Sequence, residues 1–326
     1  MTFPDDYSAL HEGAIIGAIA ERRQIALSGP DRASFLQGLL TNDIPSLTAG
    51  RGCYAAWLTP QGRMITDLHV LESGDMLLLD VPAADVEQTA ERLEQFHFTE
   101  DVQIANLAGT LRSLWLHGPT ASQILTKLAL SAEEFAAWTS YQNARAEIGG
   151  APVVIARIDQ LAVPGYVIYV DVQQEAALTK LLVAAGALPA TPPTLEAARI
   201  EAGYPVFGID MSTDTIPLEA AIEDRAISLT KGCYVGQEVI IRVLHRGHGR
   251  VARKLVGLHL EGALPPRNAK IFAGDREIGV VTSAAHSPRF GAIALGYLHR
   301  DFVEPGTLVD VDAARSRAVV TPRSTS

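Results

Sequence analysis

The stretch Lys231–Arg242 reads KGCYVGQEVIIR and is the most informative segment of this 326-residue chain. It places Cys233 shortly after a lysine and between two glycines, which allow a backbone or a ligand to approach closely. The neighbouring ammonium group would lower the pKa of the thiol and raise its thiolate fraction. Alternatively, Cys233 is a small buried residue that begins a strand, and the glycines form a turn. The spacing alone leaves both interpretations open.

A basic run follows from Arg242 to Lys254, with five Lys or Arg and two His in 13 residues. The whole chain is nevertheless acidic, because 27 Lys and Arg face 37 Asp and Glu, a formal net charge of −10. That balance argues against a general binder of the nucleic-acid backbone, which usually carries a basic excess. We expect the run to contact an anionic ligand or a protein partner, or to be a solvated loop, and to form no stable nucleic-acid complex. His245 and His248 lack a third ligand for a metal site.

The segment Thr194–Gly203, TLEAARIEAG, predicts a short helix that follows two prolines and ends at its glycine. Glu201 falls in the last turn, where the helix dipole disfavours an anion by about 0.3–1 kcal/mol. A carboxylate in that position is explained if it binds a ligand with paired N–H donors. Otherwise it is exposed, or it pairs with Arg199 or Arg225.

The first 200 residues alternate strand-like and helix-like segments. Cys53–Leu58 and Asp67–Leu71 predict two strands around a Pro-Gln-Gly turn, and Leu77–Val81 predicts a third. Pro82 is expected to begin a helix, and Ser131 with Glu134 forms a capping-box pattern for another. Asp67 is a candidate acid in this region, or an ordinary residue on the polar face of its strand.

Beyond about residue 250, short alternating segments punctuated by Gly, Pro and Asp predict a small barrel or sandwich. The sequence therefore predicts an α+β body over residues 1–250 and a small β-domain over residues 251–326. The body is expected to contain two interleaved lobes, divided roughly near residues 50 and 135.

Several classes of protein are excluded by composition and by missing motifs. Hydrophobic residues at 48% and charged residues at 20% are ordinary for a globular chain. The two cysteines, Cys53 and Cys233, cannot form a disulfide framework or hold an iron–sulfur cluster with four thiolates, and they suit a reducing compartment. Neither a phosphate loop nor a dinucleotide fingerprint is present. The apolar segment at residues 13–20 is too short to span a bilayer, so we expect a cytoplasmic protein with no membrane association.

The segment KGCYVGQE resembles the signature of the folate-binding YgfZ proteins, which are relatives of the glycine cleavage T-protein, an aminomethyltransferase. The resemblance extends over nearly the whole chain, because further blocks occur in the order expected for that family. These blocks are Ser28–Ile44, Leu58–Val70, Ala198–Met211 with Thr215–Ala220, and Ile278–Tyr297.

The resemblance implies an α+β cloverleaf of three lobes around a central channel that holds tetrahydrofolate, with a C-terminal β-barrel. It places the glutamate that binds the pterin at Glu201, whose two oxygens would face the donor edge of the ring. It also places the catalytic aspartate of T-protein at Asp67. T-protein carries a second aspartate just before that one, whereas this chain has Thr66.

The resemblance implies a tetrahydrofolate-binding accessory protein that supports assembly or repair of iron–sulfur clusters in client enzymes. The alternative is a folate-dependent aminomethyltransferase or another one-carbon (C1) transferase of the T-protein type, and a third possibility is a binding module with a vestigial pocket. The expected partners are reduced folate and iron–sulfur client or carrier proteins.

We expect Cys233 and Asp67 to be catalytic and Cys53 to be inert within a buried strand. No metal ligand is expected. The expected folate-binding residues are Glu201, Asp67, Arg199, Tyr234, Lys231, Gly236, Gln237 and Arg242.

Overall fold

A computed structural model describes residues 4–130, 133–245 (the side chain of residue 245 excepted), 250–312 and 316–322. The helices in these ranges are α1 Asp5–Glu12, α2 Arg32–Gln37, α3 Val86–Phe96, α4 Ala121–Leu128, α5 Glu175–Ala184, α6 Pro192–Glu201, α7 Glu223–Ala226 and α8 Gln237–His245. The strands of the body are β1 Ile15–Ile16, β2 Arg22–Ser28, β3 Arg51–Leu58, β4 Met64–Glu72, β5 Met76–Pro82, β6 Gln103–Asn106, β7 Leu111–His117, β8 Ala129–Leu130, β9 Asn143–Ile148, β10 Ala151–Arg157, β11 Gly165–Asp171 and β12 Leu188–Pro189. The C-terminal strands are β13 Arg253–Leu260, β14 Lys270–Ala273, β15 Arg276–Ser287, β16 Gly291–His299, β17 Leu308–Val311 and β18 Ser316–Thr321.

The first lobe is a five-stranded sheet in the order β3-β4-β5-β2-β6, with every pair antiparallel. Strand β3 is buried on both faces, because successive side chains of a strand point to opposite sides. Ala55 and Trp57 pack into the core of this lobe with α2 and α3. Tyr54, Ala56 and Leu58 point to the other face and pack against the segment that leads into the barrel. The sheet therefore presents a second buried face, and the candidate site lies there.

The second lobe is a seven-stranded sheet in the order β12-β1-β7-β11-β10-β9-β8. Its short strand β1 comes from the N-terminus and pairs parallel with β12 and antiparallel with β7. The two lobes therefore interleave along the chain, with one sheet spanning residues 22–106 and the other built from residues before and after it. These limits differ from a division near residues 50 and 135. Strand β1 pairs with β7 and β12 of the second lobe, whereas the first lobe already begins at β2.

The C-terminal strands close into a six-stranded barrel in the order β13-β16-β15-β14-β17-β18. Its interior is filled by aliphatic side chains. Helix α6 packs against the outside of the barrel through Ala197 and Ile200, which meet Leu255 and Leu295. The α+β fold with a C-terminal β-barrel is therefore the one that the sequence predicts.

Two local predictions require correction. Residues Phe135–Ala137 form a single 3-10 turn in place of the helix expected after Ser131, which itself lies outside the described residues. Pro82 does not begin an α-helix directly, because a 3-10 turn at Ala83–Asp85 precedes α3.

Candidate functional site

Asp67 lies at the centre of a buried polar cluster, and we refer to it together with Arg22, Tyr54, His69 and Arg225 as the Asp67 cluster. The side chain of Asp67 points to the second face of β4 and is only 3% exposed. The Tyr54 hydroxyl donates to its Oδ2 at 2.7 Å, and Arg22 Nη1 donates to its Oδ1 at 3.1 Å. Each carboxylate oxygen therefore has one protein donor and retains capacity for a further one.

Arg22 joins Asp67 to a second carboxylate on the neighbouring strand. Its Nε lies 3.6 Å from Asp80 Oδ1, and its Nη2 donates to the Asp80 carbonyl oxygen at 2.5 Å. Asp80 also accepts from the Tyr169 hydroxyl at 2.9 Å, and burial raises the pKa of its carboxyl group. Because Arg22 stands between two acids, the negative charge of Asp67 is already opposed by a guanidinium group.

Arg225, from α7, is held between two aromatic rings. Its guanidinium carbon lies 4.6 Å from the centroid of the Tyr54 ring and 4.2 Å from that of the Tyr204 ring. Such cation–π contacts are favourable when the cation is shielded from water. Its Nη2 atom is buried and has no hydrogen-bond partner among the described residues.

His69 is a second residue of the cluster with an unpaired polar atom. Its Nδ1 lies 2.7 Å from the Tyr141 hydroxyl, while its Nε2 is buried without a partner among the described residues. Burial and the nearby Arg22 and Arg225 lower the pKa of His69 well below its usual value, so the ring is neutral at physiological pH. The cluster therefore contains two buried polar atoms without a described partner, His69 Nε2 and Arg225 Nη2.

Thr66 precedes Asp67 on β4 and contacts a further carboxyl group. The Thr66 hydroxyl donates to Asp85 Oδ2 at 3.1 Å. Burial and the neighbouring Asp67 raise the pKa of Asp85. A second carboxyl group therefore lies next to Thr66, and it comes from the turn before α3 and not from β4.

Glu201 lies at the end of α6 and lines a different space. The Tyr7 hydroxyl hydrogen-bonds the Glu201 carboxylate, 2.9 Å from one oxygen and 3.0 Å from the other, so the pairing with Arg199 or Arg225 that the sequence allowed is wrong. Burial and the Glu201 carboxylate raise the pKa of Tyr7 to about 12. Glu201 borders a cavity of about 500 Å³ between α6 and the barrel, and Asp67 does not line that cavity.

Arg199 is a structural residue. It is fully buried and forms ion pairs with Glu196 at 2.6 Å and with Asp210 at 2.8 Å. Its Nη2 also donates to the Ser283 hydroxyl at 2.7 Å, which ties the body to the barrel. The described contacts already engage donors of Arg199, and its role in folate binding stays a prediction.

Lys231 anchors the cysteine loop, defined here as residues 231–236, to the first lobe. Its Nζ donates to the carbonyl oxygens of Gln37, Leu40 and Asn42 at 2.7, 2.6 and 2.8 Å. Burial lowers the pKa of Lys231 to about 8. The ammonium group is directed toward these three carbonyls, so the expectation that it serves Cys233 is not supported by its contacts.

Gly236 anchors the other end of the loop. Its φ is +86°, and a Cβ atom there would lie 2.5 Å from the Thr59 carbonyl oxygen. Glycine is therefore required by a close approach to the β3–β4 turn. Cys233, between these two anchors, is exposed. Residues 231–236 form no strand, so the alternative interpretation of Cys233 as a buried residue that begins a strand is wrong.

Tyr234 and Arg242 occupy contrasting environments. Tyr234 is 7% exposed, its hydroxyl group has no partner among the described residues, and burial raises its pKa to about 12. Arg242 is exposed on α8 and pairs with Glu238 at 2.5 Å, while Gln237 is half-buried. In the basic run, Arg253 pairs with Glu219 at 3.2 Å. Residues 246–249 of that run lie outside the described residues.

Sequence reasoning missed Arg22, Tyr54, His69 and Arg225 as members of the Asp67 cluster. Tyr54 carries a detectable signal, because a tyrosine within an apolar strand usually needs a partner for its hydroxyl group. Arg22 and Arg225 carry none, since each lies far from Asp67 in sequence.

Comparison with known proteins identifies the class to which this fold and site belong. The family described as "GCVT N-terminal domain" matches residues 2–231. The "Glycine cleavage T-protein C-terminal barrel domain" matches residues 253–325. The chain belongs to the glycine cleavage T-protein family, as the sequence predicts, and its membership of the YgfZ branch remains a prediction.

Similar proteins cover the chain almost completely. It is 30% identical to the aminomethyltransferase of Listeria welshimeri, with 94% of this chain and 84% of that protein aligned. It is 28% identical to the aminomethyltransferase of Bacillus subtilis, with 97% and 89% aligned. The glycine cleavage system aminomethyltransferase T of Bartonella henselae shares the fold, with a TM-score of 0.87, 23% identity, and coverage of 98% of this chain and 88% of that one.

Two properties of the described residues concern membranes and metals. None of the helices there has the length and apolarity needed to cross a bilayer. Within the same ranges, no group of three or more His, Cys, Asp or Glu is arranged to hold a metal ion.

Proposed function

We propose that the protein binds a reduced folate next to the Asp67 cluster and acts in folate-dependent C1 transfer of the T-protein type. The observation that carries this proposal is the geometry of Asp67, a buried carboxylate that Tyr54 and Arg22 orient. The resemblance to T-protein implies that Asp67 is the catalytic aspartate. Membership of the T-protein family and the names of the relatives support it.

The residues present fit a folate. Arg225 Nη2 and His69 Nε2 are buried polar atoms that need a partner, and a reduced pterin offers both donors and acceptors. In this proposal, Asp67 accepts a hydrogen bond from the folate or its C1 group, and Glu201 accepts from the donor edge of a pterin that extends into the cavity beside α6. A folate carries the C1 unit, whereas the protein orients it and excludes water from it.

Two measurements test the proposal. Tetrahydrofolate should bind to the purified protein in a titration, and Glu201→Ala should weaken binding by about 1.5–3 kcal/mol, the range for a hydrogen bond to a charged group. Unchanged affinity in that variant would remove Glu201 from the pterin site. The protein should also release ammonia from an aminomethyl-lipoyl carrier only when tetrahydrofolate is present, and Asp67→Asn should abolish that release.

A second candidate function rests on Cys233. The thiol is exposed on a loop that Lys231 and Gly236 fix at both ends, which suits contact with another protein. In this interpretation the protein binds folate but serves as a cytoplasmic accessory protein for iron–sulfur enzymes, with client or carrier proteins as its partners. Thr66, in place of the second aspartate, favours this candidate over aminomethyl transfer.

The two candidates give different results with the same variants. If the accessory function is correct, Cys233→Ser will bind folate yet fail to restore iron–sulfur enzyme activity in a deletion strain, and the wild-type protein will release no ammonia. Full restoration by Cys233→Ser would exclude the thiol from the function. Folate-dependent ammonia release by both wild-type protein and Cys233→Ser would establish the transferase.

A further inference from the structure

Arg225 is a cation of the Asp67 cluster whose Nη2 has no hydrogen-bond partner among the described residues. No ion pair involves its guanidinium group among the described residues, and its Nη2 donates no hydrogen bond there. The guanidinium carbon lies 4.6 Å from the centroid of the Tyr54 ring and 4.2 Å from that of the Tyr204 ring, and an aromatic face supplies no conventional oxygen acceptor for the buried Nη2. A buried donor without an acceptor costs free energy in the folded protein. A ligand oxygen in the plane of the guanidinium group would remove that cost.

The position of Arg225 places this oxygen near the reacting end of the ligand. The ring of Tyr54 stacks on Arg225, and the hydroxyl group of the same ring donates to Asp67. Arg225 is thus separated from Asp67 by the width of one tyrosine ring. Since Asp67 is proposed to act at the C1 unit, the unpaired donor of Arg225 lies close to that unit.

The charges of the cluster favour a neutral C1 group that carries an oxygen. Arg22 is paired with Asp67 and lies beside Asp80, and Arg225 adds a second positive charge. A positively charged group would therefore gain little from Asp67, because two guanidinium groups oppose it. A carbonyl oxygen would gain a charge-assisted hydrogen bond from Arg225.

We propose that Arg225 is a specificity-determining residue that donates from Nη2 to the carbonyl oxygen of a formyl group on the bound reduced folate. The protein thereby prefers a formyl-substituted folate over one that carries a methyl group at the same nitrogen. This inference rests on the proposed binding of reduced folate. The pterin ring carbonyl, next to that nitrogen, is the competing acceptor.

The test compares two ligands that differ in this oxygen. Both 5-formyl- and 5-methyltetrahydrofolate contain the pterin carbonyl and the glutamate tail, so their affinity ratio isolates the formyl group. We expect the wild-type protein to bind the formyl ligand about 10-fold more tightly or better. Arg225→Met should weaken formyl-ligand binding by about 10- to 100-fold and change methyl-ligand binding by less than about 3-fold.

Two further variants control for charge and folding. Arg225→Lys keeps a cationic donor but loses the planar stack, so it should retain part of the preference. Arg145→Met removes an exposed arginine of β9 that pairs with Asp75 in the β4–β5 turn, and both affinities should stay at the wild-type level. Thermal unfolding of each variant identifies any loss of binding that results from misfolding.

Each remaining outcome counts against the assignment. An equal loss for both ligands in Arg225→Met and Arg225→Lys would show that Arg225 contacts a part they share, such as the ring carbonyl. Equal affinity of the wild-type protein for the two ligands would also overturn the inference. If neither ligand nor tetrahydrofolate binds the wild-type protein, the proposed function fails as well, which distinguishes that result from an error about Arg225 alone.

Discussion

Arg51–Tyr54 and Lys231–Tyr234 have the same order of residue types, a basic residue followed by Gly, Cys and Tyr, but they occupy opposite environments. The first begins β3, where Gly52 lies in close contact with the backbone of β4. In the second, Gly232 and Cys233 are exposed, and a Cβ on Gly232 would meet nothing within 4 Å. The comparison shows that pairing with a neighbouring strand, and not the local motif, determines what each residue does.

The basic residues of the two motifs differ in exposure and in their contacts. Arg51 is exposed and donates to Thr139, whereas Lys231 is buried against three carbonyl groups. The ammonium group that precedes Cys233 in sequence acts on the other cysteine, because Lys231 offsets part of the rise in the pKa of Cys53. Asn42 links the motifs, since it donates to the Tyr54 carbonyl and its own carbonyl accepts from Lys231.

The largest expected difference between the motifs is the reactivity of their thiols. Burial raises the pKa of Cys53 to about 12, so its thiolate is nearly absent at pH 7.5. Cys233 is exposed, and we expect iodoacetamide to label it at least about 100-fold faster than Cys53. Mass spectrometry of tryptic peptides at timed intervals measures both rates in one sample. Similar rates would mean that the environment does not separate the two cysteines.

The two glycines should differ next. A Cβ atom at Gly52 would lie 2.4 Å from the Val70 carbonyl oxygen, a backbone atom of the paired strand that cannot move freely. Gly52→Ala should therefore lower the free energy of unfolding by about 3 kcal/mol. Gly232→Ala, the matched control, should change it by no more than about 0.5 kcal/mol. Urea unfolding of the two variants measures the difference, and equal stabilities would contradict the close packing at β3.

The tyrosines that end the motifs provide a further test. Tyr54→Phe removes a hydrogen bond to the buried carboxylate of Asp67 and should cost about 2 kcal/mol. Tyr234→Phe removes a buried hydroxyl group that has no described partner, so it should leave stability unchanged or raise it. Thermal unfolding of both variants compares them directly. A loss of stability in Tyr234→Phe as large as in Tyr54→Phe would indicate that its hydroxyl group has a partner.

This contrast also explains how much of the molecule the sequence predicts. Strand and barrel segments were predictable because period-two apolar patterns and turn residues act locally. The family motifs predicted Asp67 and Glu201 as candidate site residues. The partners of those acids were not predictable, because Arg22 reaches Asp67 through the pairing of β2 with β5, and Tyr7 reaches Glu201 across 194 positions. Likewise, Lys231 was expected to serve the adjacent thiol, but tertiary contacts direct it to the 37–42 segment.

The smallest expected effect concerns the pH dependence of stability. The pKa of Cys53 is raised in the folded protein, so above pH 9 the unfolded chain loses this proton more readily. The folded state is therefore progressively disfavoured as pH rises from 9 toward 12, whereas below pH 9 the group has no effect. Between pH 8 and 10 this contributes a loss of about 1.4 kcal/mol. Cys53→Ala should lose that much less stability than the wild-type protein over this interval, as measured by urea unfolding at each pH. Cys233→Ala, the matched control, should lose stability between pH 8 and 10 by as much as the wild-type protein. A smaller loss in Cys233→Ala would mean that Cys53 is not the thiol responsible for the pH dependence.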